Sequence, residues 1–548
     1  MSSSMREKYC FILVFTIAIL LAISLLTTSI ISIKPRDLGL ASYLPATFWV
    51  GLSLLGVLWF VGRNSKHYLI AGLLLTFAYL FIAPVLIKKP VWLSNSYYPY
   101  AESLLINSNG HLEPRKLDIL TSYHYWPVFL FLASPFTLIT SMPTEPILKL
   151  FPLISVGLYT LLTYLILRVK FEFKYAILGS AFFLCSFFSR QQYFGPPGIA
   201  YIYYLIAFLL STWIFFSGKK NKNIFLILFF VISILLIFTH ILTSFLLIIS
   251  LISIYCAYMF INKKSHYILG ISILGLITIF SIHNIYIVPN FGLLRLMIVN
   301  IFEGLESFSF FNESNRIIGT FANELNYYSS WAIVIINLIG FGITTINNLR
   351  KKSNKESYTI YLAIFIITLG IFGIIGRYGA HEAYQRAFMF GLVPLAYLSV
   401  NVMQKRVYLL NILIISLAFL NIPAQYGSDT FRLANEKQLS GSRFFAYNTP
   451  NQITVHGQFS LYIRYYDPVQ HITFKNIPGT SLPFTFIPNN TDIFNAINST
   501  DYTILSNLTY NFVTYYYGKN LYDNIKLDLL NKIYDNSGYI IIRPIIKN

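Results

Sequence analysis

Up to about residue 423 the chain alternates long apolar runs with short polar turns. A helix gains about 1.5 Å per residue, so about 20 apolar residues cross the hydrocarbon layer of a bilayer. Runs of that order lie at 10–33, 43–62, 68–87, 147–167, 175–190, 198–217, 267–288, 329–349, 357–376, 387–402 and 407–422. The run 223–261 is too long for one helix, and a break at Thr239-His240 divides it into two spans. The segment 126–141 is short and holds Pro127 and Pro135. Beyond residue 424 the period changes. ITVHGQFSLYIRYY, DYTIL and YIIIRPI are rich in β-branched and aromatic residues and predict strands, whereas NEKQLSGSRFFAY predicts a helix. The expected organisation is a multi-span membrane domain over 1–423 and a small α/β domain over 424–548. No internal repeat of fixed period is visible.

The turns carry the sidedness. Basic clusters sit at Arg6/Lys8, Arg63/Lys66, Arg168/Lys170/Lys174, Lys219/Lys220/Lys222, Lys263/Lys264, Arg350/Lys351/Lys352/Lys355 and Lys405/Arg406. Basic turns stay in the cytoplasm. All of these do so together only if 126–141 does not cross and the whole of 88–146 lies outside. The expectation is an α-helical polytopic membrane protein with about 13 transmembrane helices, N-terminus in and C-terminus out. It resides in the cell membrane with its α/β domain extracytoplasmic. The rival topology, with 126–141 crossing and 223–261 as one span, exports two basic clusters. The expected external loops are 88–146 and 289–328, with a short external turn at 191–197. The sequons at Asn312, Asn489, Asn498 and Asn507 all fall outside.

Composition agrees. The 548 residues are 56% hydrophobic and 11% charged, with a mean hydropathy of +0.61. That is too little charge to cover a water-soluble fold, for which about 25% is usual. The net charge of +19 resides in the turns rather than in a basic stripe, which argues against nucleic acid as a partner. Cys10, Cys185 and Cys256 all lie in apolar runs, so neither a disulfide framework nor a cysteine metal cluster is expected. The first apolar run is longer than a signal peptide's and reads as a retained anchor. Walker, HExxH and GxSxG motifs are missing, and the spans hold almost no acidic residues, which lowers a proton-coupled transporter reading.

The most informative loop reads SNSYYPYAESLLINSNGHL at 94–112 and SYHYWPVFLFLASPF at 122–136. It resembles the first external loop of the GT-C membrane glycosyltransferases: a short helix ending in glycine, a linker, then an aromatic-Pro pair opening an apolar helix. THILTSF at 239–245, HEAYQRAFMFGLVP at 381–394 and NKIYDNSGYIII at 531–542 resemble further segments of archaeal members. The Ile-, Asn-, Lys- and Tyr-rich composition points the same way. The resemblance implies transfer of a sugar from a polyprenyl-phosphate carrier to an extracytoplasmic acceptor, with membrane lipid as a further partner. Any cofactor would be a divalent metal, and no metal-ligand set is assigned.

Active members open this loop with an acidic residue, and Asn95 stands in its place here. An amide cannot take a proton at ordinary pH. Glu102, Glu113 and Asp118 are the remaining carboxylates of the loop and are the candidate replacements, against a plain reading as solvated charges. Arg386, with Glu382 one turn earlier and Arg295 in support, is placed to hold the lipid phosphate, because a guanidinium grips phosphate through two parallel hydrogen bonds. The bland alternatives for Arg386 are snorkelling to the membrane interface and simple pairing with Glu382. Tyr97, His124, Trp126 and His240 are the candidate substrate-lining residues. The bland readings are an interfacial aromatic belt for the first three and a hydrogen-bonded turn for His240. Two alternatives to a transferase stay open: a non-catalytic, degenerate protein of this type that binds lipid-linked glycan, and a glycan or lipid transporter.

Overall fold

A computed structural model describes residues 3–30, 33–34, 37–89, 91, 94–112, 125–140, 144–216, 222–263, 267–287, 321–349, 359–368, 383–427, 436–449, 454–456, 473–474, 502–506, 531–535 and 539–543. Its helices are α1 (Ser3–Thr27), α2 (Ala46–Val61), α3 (Lys66–Ile87), α4 (Tyr97–Asn109), α5 (Val128–Thr140), α6 (Thr144–Arg168), α7 (Phe173–Ser186), α8 (Pro196–Phe216), α9 (Lys222–Ile237) and α10 (Ile241–Asn262). They continue with α11 (Tyr267–Ile282), α12 (Phe321–Leu349), α13 (Thr359–Thr368), α14 (Ala383–Met403), α15 (Val407–Tyr426) and α16 (Glu436–Asn448). Among the described residues, seven helices are long and apolar enough to cross a membrane, and shorter apolar helices lie between them. Phe11, Phe15, Leu26, Ile139, Phe260 and Ile271 are exposed on helix surfaces, as a lipid solvent permits. The chain is a multi-pass α-helical membrane protein.

Several boundaries differ from the expected spans for local reasons. The first helix covers Ser3–Thr27 and stops at the Thr-Thr-Ser run, whose hydroxyls compete for the backbone. Ile30 then forms an isolated parallel bridge with Lys88. The run 175–190 is helical only to Ser186, and residues 187–195 are irregular yet buried. Helix α8 opens on Pro196, a residue suited to a first turn because its missing N–H would be unpaired there anyway. The long run does break where Thr239-His240 predicts, since His240 is the N-cap of α10. Helix α5 has 13 residues, about 20 Å of helix against a hydrocarbon layer of about 30 Å, and it is one of the shorter apolar helices.

Three of the basic turns, those of Arg6, Arg63 and Lys174, meet at one pole. Arg6 Nε donates to Val61 O at 2.7 Å, Lys174 Nζ to Asn64 Oδ1 at 3.1 Å, and Tyr68 Oη to Glu7 O at 2.9 Å. Arg6 and Arg63 are both within electrostatic reach of Lys174. Such a gathering of cations is the structural counterpart of the charge pattern in the turns.

Helix α15 ties the elements together through polar side chains directed at backbone carbonyls. Asn411 Nδ2 donates to Trp59 O at 2.9 Å, in the last turn of α2. Asn421 Nδ2 donates to Cys185 O at 3.0 Å and Phe187 O at 2.8 Å, where α7 ends. Tyr426 Oη donates to Leu80 O at 2.7 Å, inside a widened π-turn of α3. The last carbonyls of α15, which a helix end leaves unpaired, are capped from afar. Asn326 Nδ2 reaches Pro423 O at 2.7 Å and Ala424 O at 2.9 Å. Arg190 Nε and Nη2 reach Gln425 O and Ala424 O, both at 3.0 Å. Gly39, at φ +59, presses on the same end, and a Cβ there would lie 2.5 Å from Tyr426 O.

At the chain's C-terminal side a five-stranded sheet has the order β2-β1-β3-β5-β4, with strands Thr454–His456 (β1), Thr473–Phe474 (β2), Tyr502–Ser506 (β3), Asn531–Asp535 (β4) and Tyr539–Arg543 (β5). The pairs β1–β2 and β1–β3 are parallel, while β3–β5 and β4–β5 are antiparallel. Phe445 and Ala446 of α16 cover Tyr502, Ile504 and Ile541. The α/β composition thus has its own apolar cluster. Its extracytoplasmic side remains an expectation from the charge pattern, and the four sequon asparagines lie outside the described residues.

In a Cys256→Ser background, a membrane-impermeant maleimide should label Ser108→Cys in intact cells and Asn64→Cys only after permeabilisation. Labelling of both from one side would overturn the arrangement of poles. Arg190→Met should lower the unfolding temperature of the detergent-purified protein, because Gln425 O loses its partner while Ala424 O keeps Asn326, and a buried carbonyl left unpaired costs about 1–3 kcal/mol. Arg190→Lys should recover only part of the loss, since an ammonium lacks the two-pronged fork; full recovery would show that charge alone matters.

Candidate functional site

The site lies at the pole opposite the basic turns, where the first long loop folds back on the helix ends. Helix α4 ends as its sequence predicts. Gly110 adopts φ +72 and its N–H bonds Ile106 O at 2.8 Å, a left-handed cap that glycine takes without strain. A polar ladder joins α4 to α5: Asn107 Nδ2 donates to Thr137 Oγ1 at 3.0 Å, and Ser134 Oγ donates to Asn107 Oδ1. The two helices clamp segment 187–195 through Phe194, whose ring lies 5.9 Å from Tyr100 and 5.2 Å from both Phe129 and Phe151. Its N–H donates to Ser96 Oγ at 3.2 Å. Leu439 of α16 packs on the same apolar cluster, which brings the C-terminal region to this pole.

Two buried polar groups underlie this roof. The first joins the start of α5 to the ends of α9 and α11. Val128 N–H bonds Phe238 O at 3.3 Å, Phe238 stacks edgewise on His283 at 4.6 Å, and Trp126 lies 6.4 Å from the same imidazole. Residues 283–287 form a π-turn, a widening often found where side chains must be re-aimed. Trp126 Nε1 and Asn284 Oδ1 are buried without a hydrogen-bond partner. The Tyr125 backbone lies against His283, but neither ring nitrogen closes a bond of full geometry. The second group is segment 189–192 with the end of α15. Ser189, Arg190, Gln191, Gln192 and Gln425 are all buried, and Arg190 joins the two strips of backbone. Lys88 is buried beside them at the same helix end, its Nζ 4.4 Å from the centre of the Tyr426 ring.

The sequence candidates are distributed unevenly over this pole. Asn95 is exposed in a short 3-10 turn before α4. Glu102 is turned into the protein, 4% exposed and engaged by neighbours. Tyr97 is buried in the apolar cluster of α4 and α5, so it packs there. Trp126 is buried at the first polar group. His240 caps α10: its Nδ1 pairs with Thr243 Oγ1 at 2.9 Å and accepts from Thr243 N–H at 3.4 Å. That cap is the hydrogen-bonded turn role, and it fixes the imidazole next to the Phe238 turn. Arg386 lies in α14, one turn from its start. Glu113, Asp118, His124, Arg295 and Glu382 lie outside the described residues.

Arg190, Gln191, Gln192, Gln425, His283, Asn284 and Lys88 were not among the sequence candidates. Segment 191–197 reads as a solvated turn because it is polar and ends in Gly-Pro-Pro, yet Gln192 is 0% exposed. The available signal is its flanks: Phe187-Phe188 and Tyr193-Phe194 are too apolar for a free turn. Among the described residues no three His, Cys, Asp or Glu side chains come together to hold a metal ion.

No protein-family model matches the chain, and no curated protein matches it. Solved structures do align with it. The Archaeoglobus fulgidus oligosaccharyltransferase, crystallised with Zn and sulfate, aligns at 12% identity with a TM-score of 0.48, over 83% of this chain and 69% of that one. ArnT from Cupriavidus metallidurans in the apo state aligns at 8% identity and a TM-score of 0.38, over 86% of this chain and 96% of that one. The same enzyme bound to undecaprenyl phosphate aligns at 10% identity and a TM-score of 0.35, over 92% of this chain and 99% of that one.

Proposed function

We propose that the chain is a GT-C-type membrane glycosyltransferase that moves a sugar from a polyprenyl-phosphate carrier to an acceptor outside the cell. One observation carries the reading. The loop that resembles the GT-C loop in sequence folds as a capped helix ending at Gly110 and a 13-residue helix opened by Trp126-Pro127, and the two pack through one apolar cluster at a pole that also holds buried polar side chains. A lipid carrier holds its phosphate at the membrane surface, so a transferase needs polar groups at that depth with an apolar flank beside them.

The roles follow from chemistry. Arg386 holds the donor phosphate and stabilises the charge that develops on it as the glycosidic bond breaks. Glu382 orients the guanidinium, and Arg295 adds a second cation. Glu102 is the described carboxylate that accepts the acceptor's proton, with Glu113 and Asp118 as its rivals in the same loop. Asn95 contributes a hydrogen bond and no base. A divalent metal, if used, would be held by oxygens of this loop together with the donor phosphate.

A second reading, a non-catalytic binder of lipid-linked glycan, is favoured by Asn95, which stands exposed where an acidic residue is expected. Purified protein given a polyprenyl-phosphate sugar and acceptor extract separates the two. Product formation supports the transferase, and tight binding without product supports the binder.

Arg386→Lys should weaken binding of the polyprenyl-phosphate sugar and Arg386→Ala should weaken it further; equal affinities in wild type and Arg386→Ala would remove the phosphate role. Glu102→Gln should cut turnover by roughly 10²–10⁴-fold, the usual loss for a general base, while leaving donor affinity close to wild type. An unchanged rate would pass the role to Glu113 or Asp118.

A further inference from the structure

The polar island under segment 187–195 is larger than its structural work requires. Arg190 is used up in part by capping α15. Its neighbours are not. Ser189 Oγ, Gln191 Oε1 and both amide ends of Gln192 and Gln425 are buried without a hydrogen-bond partner. Gln192 and Gln425 are 0% exposed, Ser189 2% and Gln191 5%. The groups belong together, because Ser189, Gln191 and Gln192 flank Arg190 and the Arg190 guanidinium is bonded to the Gln425 backbone. A buried polar atom with no partner has given up its hydrogen bonds to water and gained none in return. Several at one place mark a site that something polar fills.

We propose that Ser189, Gln191, Gln192 and Gln425 recognise the hydroxyl groups of the transferred sugar, an inference that rests on the donor reading above. The donor and acceptor balance selects this chemistry. An anion needs donors only; Arg190 is turned to the carbonyls of Ala424 and Gln425, Lys88 lies over the Tyr426 ring, and the three amide oxygens would face an anion with partial negative charge. A cation needs acceptors only, and the amide N–H groups of Gln192 and Gln425 would stay unpaired. A hydroxyl both gives and accepts a hydrogen bond, and a primary amide offers a donor and an acceptor side by side. A ring with neighbouring hydroxyls therefore satisfies the set, and the lipid phosphate does not. Gln192 and Gln425 are the specificity-determining pair, since both of their ends are open. The site carries no base and takes no part in breaking the glycosidic bond.

The test uses the full chain in detergent and three probes: decaprenyl-phosphate glucose, decaprenyl-phosphate mannose and bare decaprenyl phosphate. The readout is the affinity ratio of each glycosyl lipid to the bare lipid, in wild type, Gln192→Met and Gln425→Met. Methionine keeps the length of glutamine and removes its hydrogen bonds. Wild type should prefer at least one glycosyl lipid, and both variants should lose that preference by tenfold or more while their affinity for bare lipid moves less than about threefold. The ligand-free unfolding temperature of the variants should stay level or rise, because an unpaired amide has been removed. If Gln192→Met does not fold, Gln192→Asn, shorter by one methylene, gives the same readout. Variants that keep the wild-type ratio overturn the proposal. So does a wild-type ratio near one for both sugars, which would leave ordered water as the occupant. Wild type that binds none of the three lipids overturns the donor reading itself.

Discussion

Everything at this pole hangs on one requirement: a helix end buried away from water must have its last carbonyls capped by protein. Apolar surroundings offer no hydrogen bonds, so an unpaired backbone group there is costly. At the end of α15 the requirement is met by Asn326 and Arg190, which come from distant stretches of chain. The guanidinium also sits at the negative end of the helix dipole, which favours it there. To meet this bond geometry, segment 187–195 must leave the helix after Ser186 and run beside Gln425.

The same rule explains why asparagines recur on α15. Asn411 and Asn421 use their amide donors on the ends of α2 and α7, and Tyr426 serves the π-turn of α3. Polar side chains in a membrane bundle act as links between helices, each worth about 0.6–2 kcal/mol. Apolar packing supplies the bulk of the contact, as with the Tyr361–Tyr397 stack at 3.8 Å and the edge-on Tyr159–Tyr201 pair at 4.8 Å. The links set which helix ends meet, and so which side chains reach the pole.

Held in this way, the pole combines buried cations with buried amides, a mixture that the proposed lipid-borne substrate would use. Cations are few and placed at helix ends, with Lys88 and Arg190 buried among the described ones. Amides and an indole fill the space under α4 and α5. A phosphate asks for cations, and a sugar asks for paired donors and acceptors, and the two kinds of group stand side by side where Arg190 is flanked by Ser189, Gln191 and Gln192. Glu102 is the buried carboxylate among the described residues. A buried carboxylate is costly unless it is partnered, and Glu102 is engaged.

The sequence determined the membrane class, because only lipid accepts so many apolar residues with so few charges. It also determined the helix break at Thr239-His240, the glycine cap at Gly110 and the shortness of α5, since each depends on local propensity or on length. The strands at Tyr502–Ser506 and Tyr539–Arg543 were legible from their β-branched runs for the same reason. The buried polar island was not. Ser-Arg-Gln-Gln before a Gly-Pro-Pro turn carries the composition of a solvated loop, and burial is a property of what lies above and below it. Nor could His283 and Asn284 be distinguished from an ordinary helix end, because the π-turn and the approach of Trp126 come from other parts of the chain. Local chemistry fixes what a segment can form, whereas partners brought from a hundred or more residues away fix what its polar atoms are for.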